Sequence, residues 1–183
     1  MKNIIGITGR KYSGKDTLGK ILVEKYGYQR MAYADNLKEV CRIIFGFSEE
    51  QLYGDLKETP DTYWNETPRK IFQYIGTDLF RNQMGKILPQ VGESIWIKSL
   101  EKTIKDTIAN NPNVHIVITD VRFQNEIDSI KSLGGEIIKI TRPNINNQDV
   151  HESESFIDFI EPDHLIINDQ NINYLEQQLN KLM

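Results

Sequence analysis

Asn3-Ile4-Ile5-Gly6-Ile7-Thr8-Gly9-Arg10-Lys11-Tyr12-Ser13-Gly14-Lys15-Asp16-Thr17 is the stretch that decides the fold. A β-branched apolar run, Asn3 to Thr8, ends in a glycine-rich turn and is followed by a helical pattern starting near Lys15, which is a strand, loop, helix order. Inside it, Gly9 to Lys15 matches G-x-x-x-x-G-K. The glycines let the backbone fold around a polyphosphate, successive N–H groups and the helix N-terminus point at the anion, and Lys15 reaches the β and γ phosphates. The usual final Ser or Thr is absent. Asp16 occupies that position and Thr17 follows, so Mg²⁺ is expected on Asp16, directly or through water, with Thr17 on a phosphate. The bland alternative is a glycine turn before a helix whose Lys15 is a solvated first-turn residue.

Working outward, Tyr28 to Ala32, Val114 to Thr119, Glu136 to Ile140 and Leu165 to Ile167 are further short β-rich runs separated by helix-length polar segments, the pattern of a parallel sheet. Ser48 with Gln51 suits a capping box, and Thr67 before Pro68 suits an N-cap with proline at the first helical position. Between Ala32 and Val114 the chain has helical periodicity and no strand signal, too long for a plain crossover. The expectation is an α/β chain with a P-loop NTP-binding fold: a mostly parallel central sheet flanked by helices, with a helical acceptor-binding insertion and a lid loop. It is read as a single domain, 1–183, with core 1–34 and 112–183, insertion 35–111 and lid about 142–155. The insertion is the usual place for a second substrate in an enzyme that binds ligands at its strand ends.

Composition narrows the function classes. The 183 residues are 39% hydrophobic and 26% charged, enough for one globular core. Lys and Arg total 22 against 26 Asp and Glu, a net charge of -4, which removes the global positive field that nucleic-acid binding relies on. Cys41 is the one cysteine, so there is neither a disulfide framework nor a Cys-rich zinc site, and a reducing compartment fits. The first apolar run is too short for a signal peptide or membrane span, which predicts a soluble cytoplasmic protein without a membrane partner.

Side chains then sort by place. Arg69, Gln73, Thr77 and Arg81 recur every four residues on the expected Thr67 to Gly85 helix as a slowly rotating polar stripe opposite Ile71, Ile75 and Leu79. Two guanidinium groups, an amide and a hydroxyl suit a phosphate and a base edge, against the alternative of a plain solvent face. Asp120, expected at the end of the Val114 to Thr119 strand, either holds hydrated Mg²⁺ or caps the next helix. Arg122 faces the transferred phosphoryl or the acceptor phosphate, or else pairs with Glu126. Arg142 precedes Pro143 and the Asn-rich 144–149 loop, a lid or a plain surface loop. His151 is read as solvated rather than catalytic. Asp35 and Lys38 are expected in a strand-to-helix turn, Lys38 on the acceptor phosphate and Asp35 either as a cap or, for a hydroxyl acceptor only, a base. Asn168 and Asp169 are a turn or part of an adenine pocket. Tyr63, Trp64 and Tyr74 are candidates for stacking on a base.

Gly9 to Thr17, with its G-K-D-T ending, resembles the P-loop nucleoside monophosphate kinase group, particularly the bacteriophage-type deoxynucleoside monophosphate kinases. Ala34 to Lys38, Arg69 through Gly76-Thr77-Asp78 to Arg81, Asp120 to Glu126, and His151 to Glu154 before Asn168-Asp169 add to the resemblance. It implies ATP with Mg²⁺ and phosphoryl transfer to a deoxynucleoside 5′-monophosphate in nucleotide metabolism. Asn36 and Gln124 depart from the A-D-P-L-K and R-F-P-N-E patterns, where proline is expected. On this reading Lys15, Arg81, Arg122 and Arg142 are catalytic. Gly9, Ser13, Gly14, Lys15, Asp16, Thr17, Asn168 and Asp169 bind ATP. Asp35, Lys38, Arg69, Gln73, Thr77, Arg81, Asp120 and Arg122 bind the acceptor, and Asp16, Thr17 and Asp120 are the metal candidates. Only seven of the basic residues are Arg, and four of them, Arg69, Arg81, Arg122 and Arg142, fall in these segments. The competing readings are a P-loop kinase of another small phosphorylated or hydroxyl metabolite and a non-enzymatic nucleotide-binding module. A homodimer is left open.

Overall fold

β-Branched runs bounded by turn residues become strands where the sequence puts them. The computed structural model describes residues 3–143 and 152–183. In chain order the elements are β1 (Ile4–Thr8), α1 (Lys15–Tyr26), β2 (Gln29–Met31), α2 (Tyr33–Phe45), α3 (Glu49–Leu52), α4 (Pro68–Gln73), a π-helical segment (Tyr74–Gln83), α5 (Met84–Ile87), α6 (Ile95–Asn110), β3 (Ile116–Val121), α7 (Gln124–Ser132), β4 (Glu136–Thr141), α8 (Glu152–Phe159), β5 (His164–Ile167) and α9 (Ile172–Asn180). They group into two units, Met1–Ala32 with Thr103–Met183, and Tyr33–Lys102.

In the first unit the described strands form one parallel sheet in the order β2-β3-β1-β4-β5. β1 lies at its centre and is buried at every position, as a doubly covered parallel strand must be. Ile5, Ile7, Val117, Ile138, Ile140 and Ile166 pack with Leu18, Ile21 and Leu22 of α1 and Leu175 and Leu179 of α9. The pairing of β1 with β3 slips between Gly6 and Thr8: Gly6 faces Ile118, but Thr8 faces Val121. β3 therefore carries one extra residue at Thr119-Asp120, a bulge of the kind that re-aims side chains. β3 also runs past Thr119 to Val121, so Asp120 lies within the strand rather than at its end; the pairing with β1 is interrupted at the bulge and resumes at Thr8 and Val121.

The second unit has no strand among its described residues. Both helix starts carry the expected caps. Ser48 Oγ accepts from Gln51 N while Gln51 Oε1 accepts from Ser48 N at 2.9 Å, and Thr67 Oγ1 accepts from Lys70 N at 3.2 Å with Pro68 next. Cys41, Phe47, Leu52 and Ile71 form its core, with Leu37, Phe45, Phe72 and Ile75 against it. The helix expected over Thr67 to Gly85 is not uniform. After Gln73 it winds as a π-helix, closing with Met84 N–H on the Leu79 carbonyl five residues back. This winding changes which residues share a face, and Leu79, expected to pack beside Ile71, is 48% exposed. Gly76 takes the buried position instead. A Cβ there would come 2.7 Å from Leu37 Cδ2, and Trp96 Nε1 donates to the Gly76 carbonyl at 2.9 Å.

Candidate active site

The loop between β1 and α1 is shaped by contacts that only glycine permits. A Cβ on Gly9 would run into the Ile140 carbonyl oxygen and lie 2.7 Å from Ser13 Oγ. Gly14, at φ 107°, caps α1 in the left-handed region, and a Cβ there would lie 2.5 Å from Asn168 Nδ2. Lys15 is the first residue of α1, and its Nζ donates to the carbonyls of Gly9 at 2.6 Å and Arg10 at 2.7 Å. The ammonium thus sits over the loop mouth. The Ser13 hydroxyl is buried without a hydrogen-bond partner, as is that of Thr8. A buried donor left unmade costs about 1–3 kcal/mol, and an anion in the loop would give Ser13 Oγ an acceptor. Tyr12, at the tip, takes φ 64° and is 70% exposed, with Lys11 Nζ 5.0 Å from its ring centre. Asp16 and Thr17 follow in the first turn of α1, Asp16 exposed.

Asn168, just past β5, is turned into the loop. Its Nδ2 donates to the Ser13 carbonyl at 2.8 Å, and its backbone N–H donates to Thr141 O at 2.7 Å. Asp169 beside it is exposed. After the β3 bulge, the turn through Arg122 is held by Glu126, a carboxylate only 2% exposed that accepts from the N–H groups of Arg122 at 2.8 Å and Phe123 at 3.2 Å. The spacing that suggested an Arg122–Glu126 ion pair thus also serves a helix-start carboxylate acting on the backbone. Glu126 is the residue sequence reasoning missed; a Glu three residues into a helix was the available signal. Arg122 and Arg142 are exposed. Arg10 donates to Asp158 of α8 through Nε at 3.0 Å and through a second, shorter contact. That guanidinium holds the Asp158 carboxyl below the usual range, against a smaller opposing effect of burial. Of the lid expected over about 142–155, residues 144–151, His151 among them, lie outside the described residues, and 152–155 belong to α8.

In the second unit, Asp35 and Lys38 are not in a turn. α2 begins at Tyr33, so both sit in helix, Asp35 in its first turn. The helix starts early because Tyr33, itself buried, anchors its first position. Lys38 Nζ lies 3.9 Å over the Tyr53 ring, a cation–π contact. Asn36, where proline was expected, donates to Ser99 Oγ of α6 at 2.6 Å. Arg69 on α4 donates to the Glu58 carboxylate. Gln73 and Thr77 are exposed and Arg81 half-buried along the α4 and π-helical stretch. Trp64 packs edge-on to Phe45 and donates to its carbonyl at 2.9 Å, so it is spent on packing, whereas Tyr63 is 80% and Tyr74 53% exposed. Burial pushes the Cys41 thiol up to about 11, which rules it out as a nucleophile.

The first unit therefore brings Gly9, Ser13, Gly14, Lys15 and Asn168 into direct contact, with Thr8 paired to Val121 next to Asp120 and Arg122. No group of three His, Cys, Asp or Glu able to hold a metal occurs among the described residues. Asp16, Thr17 and Asp120 offer hard oxygens one at a time, a donor set that fits Mg²⁺ keeping water and phosphate oxygens as its other ligands. No helix among the described residues is long and apolar enough to cross a membrane.

A family model for deoxynucleotide monophosphate kinase matches residues 58–179. A protein of Acanthamoeba polyphaga mimivirus assigned to the deoxynucleotide monophosphate kinases is 41% identical over 180 residues, 96% of this chain and 93% of the relative. The deoxynucleotide monophosphate kinase of Escherichia phage RB69 is 24% identical over 115 residues, 63% of this chain and 44% of the phage protein, so the match spans less than half of the phage protein's length. Among solved structures, a dephospho-CoA kinase from Campylobacter jejuni superposes with a TM-score of 0.55 at 18% identity, over 100% of this chain and 96% of that one, which shows the P-loop kinase fold. The strand, loop and helix around Lys15 and the match along nearly the whole chain agree: the chain belongs to the deoxynucleotide monophosphate kinase family and is a nucleotide kinase.

Proposed function

We propose that the protein transfers the γ-phosphoryl of ATP to a deoxynucleoside 5′-monophosphate, giving the diphosphate and ADP. The observation that carries this is the loop around Lys15, with two glycines that admit no side chain and an ammonium held over the mouth. Family membership supports the acceptor class. Lys15 and the N–H groups of Gly14 and Lys15 hold the transferring phosphates, while the Ser13 N–H closes the loop on the Arg10 carbonyl. Asp16, Thr17 and Asp120 are the residues that would hold Mg²⁺, which when bound would neutralise charge on the phosphates. Arg81, Arg122 and Arg142 add cations for a transition state whose charge is spread over phosphoryl oxygens. Arg69, Gln73, Thr77, Asp35 and Lys38 hold the acceptor. A monophosphate oxygen is already anionic and needs no general base, which leaves Asp35 a binding role. A single cysteine, with no internal disulfide to form, fits a reducing, cytoplasmic setting.

Coupled ADP release with ATP and a panel of ribo- and deoxynucleoside monophosphates tests the reading. Release dependent on one or more deoxynucleoside monophosphates is expected; ATP turnover that ignores every member of the panel would overturn it.

A further inference from the structure

Asn168 comes from the far end of the chain, 155 residues from Ser13, yet its amide is buried against the phosphate loop. It is 9% exposed, with Nδ2 donating to the Ser13 carbonyl at 2.8 Å, and it stands where any side chain on Gly14 would be. Its main-chain N–H is committed to Thr141 O at 2.7 Å, continuing the β4–β5 ladder by one bond. The side chain is therefore fixed at its root by the sheet and at its tip by the loop. One of the two N–H donors of that amide is committed to the loop. What it touches is the peptide that carries the Ser13 oxygen and the Gly14 N–H, and turning that peptide would turn a phosphate-binding N–H away from the anion.

We propose that Asn168 is a positioning residue for the phosphate loop: it pins the Ser13–Gly14 peptide so that the loop's N–H groups converge on the polyphosphate, independently of the base. The inference rests on the loop being the triphosphate site of the proposed reaction. Removing the amide leaves the buried Ser13 carbonyl without its partner and lets the peptide rotate.

Two ligands separate this from a base-reading role: ATP, and inorganic tripolyphosphate, which has phosphates and no base. Equilibrium titrations of the full-length protein and of Asn168→Ala are expected to show both ligands weakened by the same factor, about tenfold for one lost buried hydrogen bond. Weakened ATP with unchanged tripolyphosphate would place Asn168 in a base pocket and overturn the proposal, as would unchanged binding of both. Failure of the wild-type protein to bind either ligand would instead overturn the reading of the loop itself. Asn168→Leu, similar in size and without a donor, supplies a second variant if the alanine form does not fold. It is expected to weaken ATP and tripolyphosphate by the same factor as each other; weakening of ATP alone would overturn the proposal.

Discussion

The two units hold their functional groups in different ways. In the sheet unit the phosphate loop is fixed through backbone: Lys15 is tied to two carbonyls, Asn168 to a third, and Glu126 holds the N–H groups of Arg122 and Phe123. In the helical unit the corresponding residues are side chains on helix surfaces, with Arg69 resting on Glu58 and Lys38 on Tyr53. On the proposed reaction a cradle fixed through backbone suits donor phosphates that are the same in every round, whereas an acceptor would meet side chains on helix surfaces.

Lys15→Ala strikes the rigid half hardest. Turnover is expected to fall by about 10³-fold with the melting temperature nearly unchanged, since the Lys15 side chain is only partly buried; retained activity in a coupled ADP assay would break the comparison. Glu126→Ala comes next. It takes the acceptor from two part-buried N–H groups, and a loss of about 1–3 kcal/mol in denaturant unfolding is expected, with Glu126→Gln recovering most of it because its amide oxygen still accepts. Equal losses in both variants would show that charge, not backbone anchoring, matters there. On the helical side, Trp96→Phe removes the indole N–H from the Gly76 carbonyl but keeps an aromatic ring beside Phe80. The acceptor KM is expected to rise about threefold to tenfold while the KM for ATP holds, at about 1–2 kcal/mol of stability; parallel changes in both constants would merge the two halves.

The smallest effect concerns pH. Arg10 lowers the pKa of Asp158 in the folded protein. A carboxylate with a depressed folded pKa contributes stability above its unfolded value, near 4, and that contribution is lost as pH falls through the lowered folded value. Wild type is therefore expected to melt above Asp158→Asn at pH 6, with the gap closing as pH drops from about 4 towards 2. Because both partners are about half exposed, at 43% and 50%, the gap should stay within about 2 °C. A gap that widened on acidification would reverse the sign of this pair.

What could be read from the sequence follows the same division. The β1 strand, the loop and the start of α1 depend on neighbours in the chain, and glycine spacing and β-branched runs report such local geometry directly. The caps at Ser48 and Thr67 were legible for the same reason. The π winding of Tyr74–Gln83 was not, because it is matched by Trp96 and Leu37, residues remote in sequence, and a period-four stripe looks the same until those partners are known. The start of α2 at Tyr33 and the bulge at Thr119-Asp120 likewise depend on burial and on register with another strand. Asn168 could be read as a turn residue or part of an adenine pocket, but not as a partner of Ser13, which lies 155 residues away.

The strand order has a further consequence for how the protein comes into being. β1 is made before both of its ladder partners, β3 and β4, which end at Val121 and Thr141. Loop closures of that length are slow steps in folding. During synthesis β1 waits for these partners, and the cradle it leads into is completed only when Asn168 arrives. The part of the molecule easiest to recognise in the sequence is thus among the last to take its working shape.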